Sequence, residues 1–210
     1  MLGIIDYGMG NLGSVTNACR FLELACRVVT KPADMEGCEA VILPGVGAFG
    51  DCMKHLDEHG FIDPVKGWIK AGRPFLGICL GLQVLFEDGE ESPGVQGLGV
   101  FKGTVRRFEE KPELKIPQIG WNKVKKVNPD CPLFQGVPDD AFFYFVHSYR
   151  VDAKDASIVC GETEYGITYP SMVWKDNVYA VQFHPEKSQR VGLRMLENFG
   201  DAAFEKAKFK

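Results

Sequence analysis

The chain has 210 residues, 45% hydrophobic and 25% charged, enough for one substantial apolar core of ordinary globular composition. Lys plus Arg number 24 against 28 Asp plus Glu, a formal charge of −4, which excludes a broad basic surface for nucleic acid. No apolar run approaches the roughly 20 residues of a membrane span, the N-terminus lacks a secretion-signal pattern, and seven cysteines without a CxxC pair suit a reducing compartment; one domain over 1–210 in the cytoplasm is expected.

Residues 2–6 form a short apolar run ending in an acid and glycines, the pattern of a buried parallel strand. Gly8-Met9-Gly10-Asn11-Leu12-Gly13 follows with the spacing of a dinucleotide-binding turn. That motif needs an acid at the end of the second strand, whereas Val28-Val29-Thr30-Lys31 stands there and Asp34 is displaced past Pro32. A tight turn presenting Tyr7 and Asn11 on an outer face is the better reading, with a non-enzymatic nucleotide-binding protein as the rival. Leu12, Val15, Cys19 and Leu22 then fall at helical spacing over 11–25, and 26–30 and 40–43 read as strands.

Helices are expected over 48–58 and 64–70. Asp51, His55 and His59 share a face of the first, but the order is not that of a zinc protease, so an exposed polar face is expected and no metal. Residues 75–78 are a strand leading into Cys79. Beyond Phe86 the pattern changes to an acidic, turn-rich stretch at 87–94 and longer strands over 100–108, 123–127 and 142–149. Residues 157–161, 171–174 and 178–183 suggest antiparallel segments, the last two joined at Lys175-Asp176-Asn177. Ser188 is placed to cap a last helix with Val191, Met195, Leu196 and Phe199 on one side, and 206–210 read as a fraying terminus. The expected fold is a single α/β domain: a central, mostly parallel sheet, helices on both faces, and additional antiparallel strands.

The chemistry concentrates in Gly77-Ile78-Cys79-Leu80-Gly81-Leu82-Gln83 and Phe183-His184-Pro185-Glu186. A cysteine between two glycines, where a strand gives way to a helix, has the layout of a nucleophile elbow with a thiol. Unpaired N–H groups at the helix start favour its thiolate. His184, ending another apolar strand with Glu186 two residues on, supplies a base and an orienting acid. The glycine-rich loop Pro44-Gly45-Val46-Gly47-Ala48-Phe49-Gly50 can turn the Val46 N–H toward a developing oxyanion, with the Leu80 N–H as second donor. His147 also ends an apolar strand and is a rival base, without a carboxylate at short range.

These motifs resemble the class I, or triad-type, glutamine amidotransferases. The resemblance extends over most of the chain through Ile5-Asp6-Tyr7-Gly8-Met9-Gly10-Asn11-Leu12, the 44–49 loop, Gly120-Trp121-Asn122, Tyr144-Phe145-Val146-His147-Ser148-Tyr149 and Gln182-Phe183-His184-Pro185-Glu186-Lys187-Ser188. These stretches are similar to the histidine-pathway branch of the family. The resemblance implies hydrolysis of L-glutamine through a Cys79 thioester. The ammonia passes, in a heterodimer, to a (βα)8-barrel cyclase subunit that makes imidazole glycerol phosphate and aminoimidazole carboxamide ribotide. It also implies substrate contacts from Gly47, Gln83, Ser148 and Tyr149, and a partner face including Asn11, Trp121, Asn122, Tyr144 and Lys187. No cofactor is expected. The alternative within the family is a glutaminase serving pyridoxal phosphate, anthranilate or guanylate synthesis, which needs the same three side chains.

Overall fold

The computed structural model describes residues 1–208, with side chains through 204. In chain order the elements are β1 (Leu2–Ile5), α1 (Leu12–Phe21), β2 (Cys26–Val29), β3 (Ala40–Gly45), α2 (Phe49–Glu58), α3 (Ile62–Lys70), β4 (Phe75–Cys79) and α4 (Leu80–Gln83). They continue with β5 (Asp88–Gly89), β6 (Gly103–Arg107), β7 (Gln118–Lys123), β8 (Lys125–Lys126), β9 (Phe142–His147) and β10 (Tyr149–Ala153). The last are β11 (Val159–Glu164), β12 (Thr168–Lys175), β13 (Val178–Val181) and α5 (Gln189–Lys208).

The main sheet has eight strands in the order β2-β1-β3-β4-β13-β12-β11-β8. Strands β2 through β13 of that order run parallel, and β12, β11 and β8 add on antiparallel. Alternate residues of each inner strand serve opposite cores. Ile42, Leu76, Ile78, Tyr179 and Val181 pack toward α1 and α5 with Val15, Cys19, Leu196 and Phe199. Val41, Leu43, Phe75 and Ala180 pack on the other face with Cys52, Leu56, Val65 and Trp68 of α2 and α3. Burial on both faces is why these strands read as continuous apolar runs rather than alternating ones.

A three-stranded sheet (β10-β6-β5) and a two-stranded ribbon (β7-β9) stand beside the main sheet. Here the sequence expectations need correction. The strand expected over 142–149 is broken at Ser148, and its halves, β9 and β10, join different sheets. The strand expected over 123–127 is only the two-residue β8 beyond the end of β7, and β6 covers only part of 100–108. Strand β7 was not expected: its apolar Ile119 and Trp121 are exposed, 63% and 46%, so its pattern carries no core face. The hairpin at Asp176-Asn177 is present, with Lys175 paired to Val178 and Asp176 at φ 54°.

Two side chains are also placed differently. Tyr7 is not on an outer face: it is fully buried, its hydroxyl 3.3 Å from Cys52 Sγ. Asn11 does start α1, accepting from the Ser14 N–H at 3.3 Å. The Ser188 hydroxyl accepts from the Tyr144 N–H and donates to the His184 carbonyl, tying the turn before α5 to β9 rather than capping the helix with its side chain. Helix α5 runs through Lys208, so 206–208 continue it, and 209–210 lie outside the described residues.

Candidate active site

Cys79 is the last residue of β4, with φ 56° and ψ −107°, a left-handed backbone that costs a non-glycine residue about 1–3 kcal/mol. The two flanking glycines are required by close approach of backbone. A Cβ on Gly81 would lie 2.0 Å from the Leu43 carbonyl of β3, and one on Gly77 would lie 2.5 Å from the Gly81 carbonyl. Only a chain without those side chains can turn this sharply against β3, and the turn brings the thiol out at the carboxyl edge of the parallel strands. The N–H of Leu80, at the first position of α4, has no acceptor within the helix.

His184 reaches the same edge because β13 is the parallel neighbour of β4, with Val181 paired to Ile78. Past β13 the chain is pinned to β9: the His184 N–H donates to the Tyr144 carbonyl at 2.9 Å, beside the Ser188 clamp. Nδ1–H of His184 donates to Glu186 Oε1 at 2.8 Å, with both side chains almost wholly buried. Nε2 is buried without a hydrogen-bond partner, so it is the nitrogen free to exchange a proton with the neighbouring Cys79 sulfur. Burial by itself lowers the pKa of the ring; the Cys79 sulfur and the Glu186 carboxylate more than reverse this and push it up to about 10. At neutral pH the ring is therefore held as an imidazolium between the Glu186 carboxylate and the Cys79 sulfur.

The cavity over these groups, about 320 Å³, is lined by Val46, Gly47, Cys79, Leu80, Gln83, Ser148, Tyr149 and His184. The structure thus brings together every residue expected at the nucleophile, base, oxyanion and substrate positions, with Glu186 directly behind His184. Gly45 pairs with Cys79 across β3 and β4, which holds the Val46–Gly47 loop next to the elbow. Gly47 has φ 99°, a conformation natural to glycine alone.

Glu91 also lines the cavity and was missed by sequence reasoning. Its Oε2 accepts from the Phe49 N–H at 2.8 Å, and Ser92 Oγ accepts from Gly50 N–H at 2.9 Å, so the 87–94 stretch covers the start of α2. Nothing in its acidic, turn-like composition signals this, because the contact spans 42 residues of sequence.

His147 lines the cavity as well but is fully engaged. Burial, partly offset by the hydrogen bond to Tyr149, pushes its pKa down to about 4, so it is neutral. Nδ1–H donates to the Tyr149 carbonyl at 2.7 Å, which leaves Nε2 unprotonated, 3.1 Å from the Gln118 side-chain amide and 3.2 Å from the Tyr169 hydroxyl.

The residues expected at the partner face divide. Trp121 meets Tyr144 edge to face at 6.0 Å, and Lys187 Nζ lies 5.9 Å from the Tyr144 ring, forming one aromatic and basic patch. Asn11 stands at the start of α1, which packs on the Pro185–Lys187 turn. Asn122 instead donates to the Glu164 carbonyl of β11. His55 and His59 stack at 6.1 Å, and no cluster of three metal-binding groups occurs among the described residues.

Residues 3–203 match the family model for glutamine amidotransferase class-I. The imidazole glycerol phosphate synthase subunit HisH of Desulfitobacterium hafniense is 50% identical over 200 residues, spanning 95% of this chain and 93% of that protein. HisH of Methanocaldococcus jannaschii is 46% identical over 199 residues, 95% of this chain and 98% of that one. Among solved structures, a glutamine amidotransferase superposes with a TM-score of 0.75 at 21% identity, covering 97% of this chain and 98% of that one. PurLQS from Thermotoga maritima gives 0.75 at 17% identity, covering 98% of each. At such identity the structures speak to the fold alone.

Proposed function

The chain belongs to the class I glutamine amidotransferase family, among the HisH subunits of imidazole glycerol phosphate synthase, and from that premise we propose that it hydrolyses L-glutamine to glutamate and ammonia through a γ-glutamyl thioester on Cys79. The thiolate attacks the carboxamide carbon, and the resulting oxyanion is received by the N–H groups of Val46 and Leu80. His184 Nε2–H gives its proton to the departing nitrogen as the C–N bond breaks and ammonia leaves. The neutral ring then takes a proton from water, which attacks the thioester, and the C–S bond breaks to return the thiolate. Glu186 holds the tautomer with the proton on Nδ1 and stabilises the imidazolium. No cofactor enters this scheme.

Gln83, Gly47 and the Ser148–Tyr149 backbone hold the substrate's polar groups, and Glu91 faces them with a carboxylate suited to the α-ammonium. The ammonia passes to a cyclase subunit, a (βα)8 barrel paired with this chain as a heterodimer, which makes imidazole glycerol phosphate and aminoimidazole carboxamide ribotide. The docking face is built around Trp121, Tyr144 and Lys187, with Asn11 and Asn122 beside it. The exposed Trp121, beside the exposed Phe142, supports that assignment. Seven free thiols suit the cytoplasm.

The observation that carries the reading is the His184–Glu186 pair set beside an elbow cysteine in one cavity with a glycine loop. Gly47 lets the Val46 peptide rotate at low steric cost, so partner and nucleotide can control the oxyanion donor. Steady-state glutamate release tests this for the isolated chain, then with the cyclase subunit, then with its nucleotide substrate. A rise in kcat at each addition is expected. Full activity in the isolated chain contradicts the control by the partner, and no activity in the complete system contradicts the glutaminase assignment.

A further inference from the structure

Gln182, the residue after β13, is fully buried. Its Nε2 lies 3.7 Å from Cys79 Sγ, and its Oε1 accepts from Gln83 Nε2 at 3.0 Å. Gln83 Nε2 also donates to the Tyr149 carbonyl at 3.0 Å. The far end of this relay fixes its polarity. A backbone carbonyl only accepts, so Gln83 must turn its amide nitrogen to Tyr149. The same nitrogen meets Gln182, which must therefore offer its oxygen. What remains to face the Cys79 sulfur is an N–H donor. The Tyr149 carbonyl is held in turn by His147 Nδ1–H.

We propose that Gln182 is a catalytic residue that donates a hydrogen bond to the Cys79 sulfur, holding its thiolate form beside His184 and stabilising the sulfur as it leaves carbon in deacylation. The proposal rests on Cys79 as nucleophile. A donor bonds an anionic acceptor more strongly than a neutral one, so it favours the thiolate over the thiol. Being uncharged, Gln182 takes no part in the proton traffic of His184 and stays in place while the ring changes charge. Its link to Gln83 and Tyr149 couples the sulfur to the groups that grip substrate.

Alkylation of the full chain by iodoacetamide across pH, with Cys79 modification read by mass spectrometry, tests this in the unsubstituted protein, Gln182→Met and Gln182→Glu. The other titratable groups around the sulfur are His184 with Glu186, His147, Tyr7, Cys52 and, across the cavity, Glu91, and all are retained in both variants. The midpoint for Cys79 is expected to rise by about one pH unit in Gln182→Met, the loss of one bond to a charged acceptor, and further in Gln182→Glu. Gln182→Glu keeps the side-chain shape and the acceptor for Gln83, so it reports even where Gln182→Met disturbs packing. Unchanged midpoints in variants that still unfold cooperatively would overturn the role of Gln182 alone. Alkylation of Cys79 in the unsubstituted protein no faster than in the denatured chain would overturn the nucleophile reading and this one with it.

Discussion

Glu186 Oε1 lies 2.8 Å from His184 Nδ1, and the two side chains are 1% and 2% exposed, so the carboxylate and the ring share one buried pocket behind the Cys79 cavity. Replacing Glu186 with Gln keeps the shape but removes the charge that favours the imidazolium. The proposed role predicts a fall in kcat of about 100-fold or more, with KM for glutamine little changed. An equal loss in KM and none in kcat would assign Glu186 to substrate binding instead.

The protonation of His184 gives a second prediction. Its folded pKa of about 10 lies above the ordinary 6.5, so the favourable contact of the charged ring is fully present below about 6.5 and is lost as pH rises through about 10. NMR titration of isotopically labelled His184 should find it charged at pH 8. The midpoint should fall in Cys79→Ala, where the contact with the sulfur is gone. A midpoint unchanged by that substitution would show that Glu186 alone sets the charge.

His147 behaves in the opposite sense. Its folded pKa of about 4 is below the ordinary 6.5, so the unfolded chain takes up a proton first and stability is lost as pH falls from 6.5 toward 4. The difference amounts to at most about 3 kcal/mol. Urea unfolding of the unsubstituted protein and His147→Gln should show a gap at pH 7 that closes by roughly that amount at low pH. A gap constant with pH would mean that the ring titrates alike in both states.

How much of this was legible in the sequence depends on how local each feature is. The elbow is written within Gly77, Cys79 and Gly81 because its geometry depends on missing side chains a few residues apart. His184 and Glu186 are two residues apart and meet directly. The inner strands were readable because both faces are buried, as Val41 and Ile42 show by serving opposite cores. Strand β7 was not, since Ile119 and Trp121 point apolar groups to solvent, a pattern that no core explains. Tyr7 was misplaced because a glycine turn says where the chain bends and not which side chain the core receives. Glu91 and Gln182 act across long sequence separations, and no spacing rule reaches them.

The glycine geometry allows a paired test of the elbow. Gly81→Ala would set a Cβ 2.0 Å from a backbone carbonyl, so the elbow must open, at a cost of about 3 kcal/mol or more. Gly13 lies in α1 with no atom within 4 Å of such a Cβ, and Gly13→Ala should stabilise by about 0.5–1 kcal/mol. Thermal unfolding of the two variants should shift in opposite directions, and glutamine turnover should be lost only in the first. Equal tolerance at both positions would contradict the close packing of β3 on α4.

The central claim is that glutamine nitrogen is released by formation of a thioester at Cys79. Rapid-quench mass spectrometry of the chain turning over glutamine with its cyclase partner and nucleotide tests it directly. A γ-glutamyl adduct on the Cys79 peptide, appearing before steady-state glutamate release and absent in Cys79→Ala together with turnover, is the predicted result. Sustained turnover by Cys79→Ala, or an adduct on another residue, would contradict it.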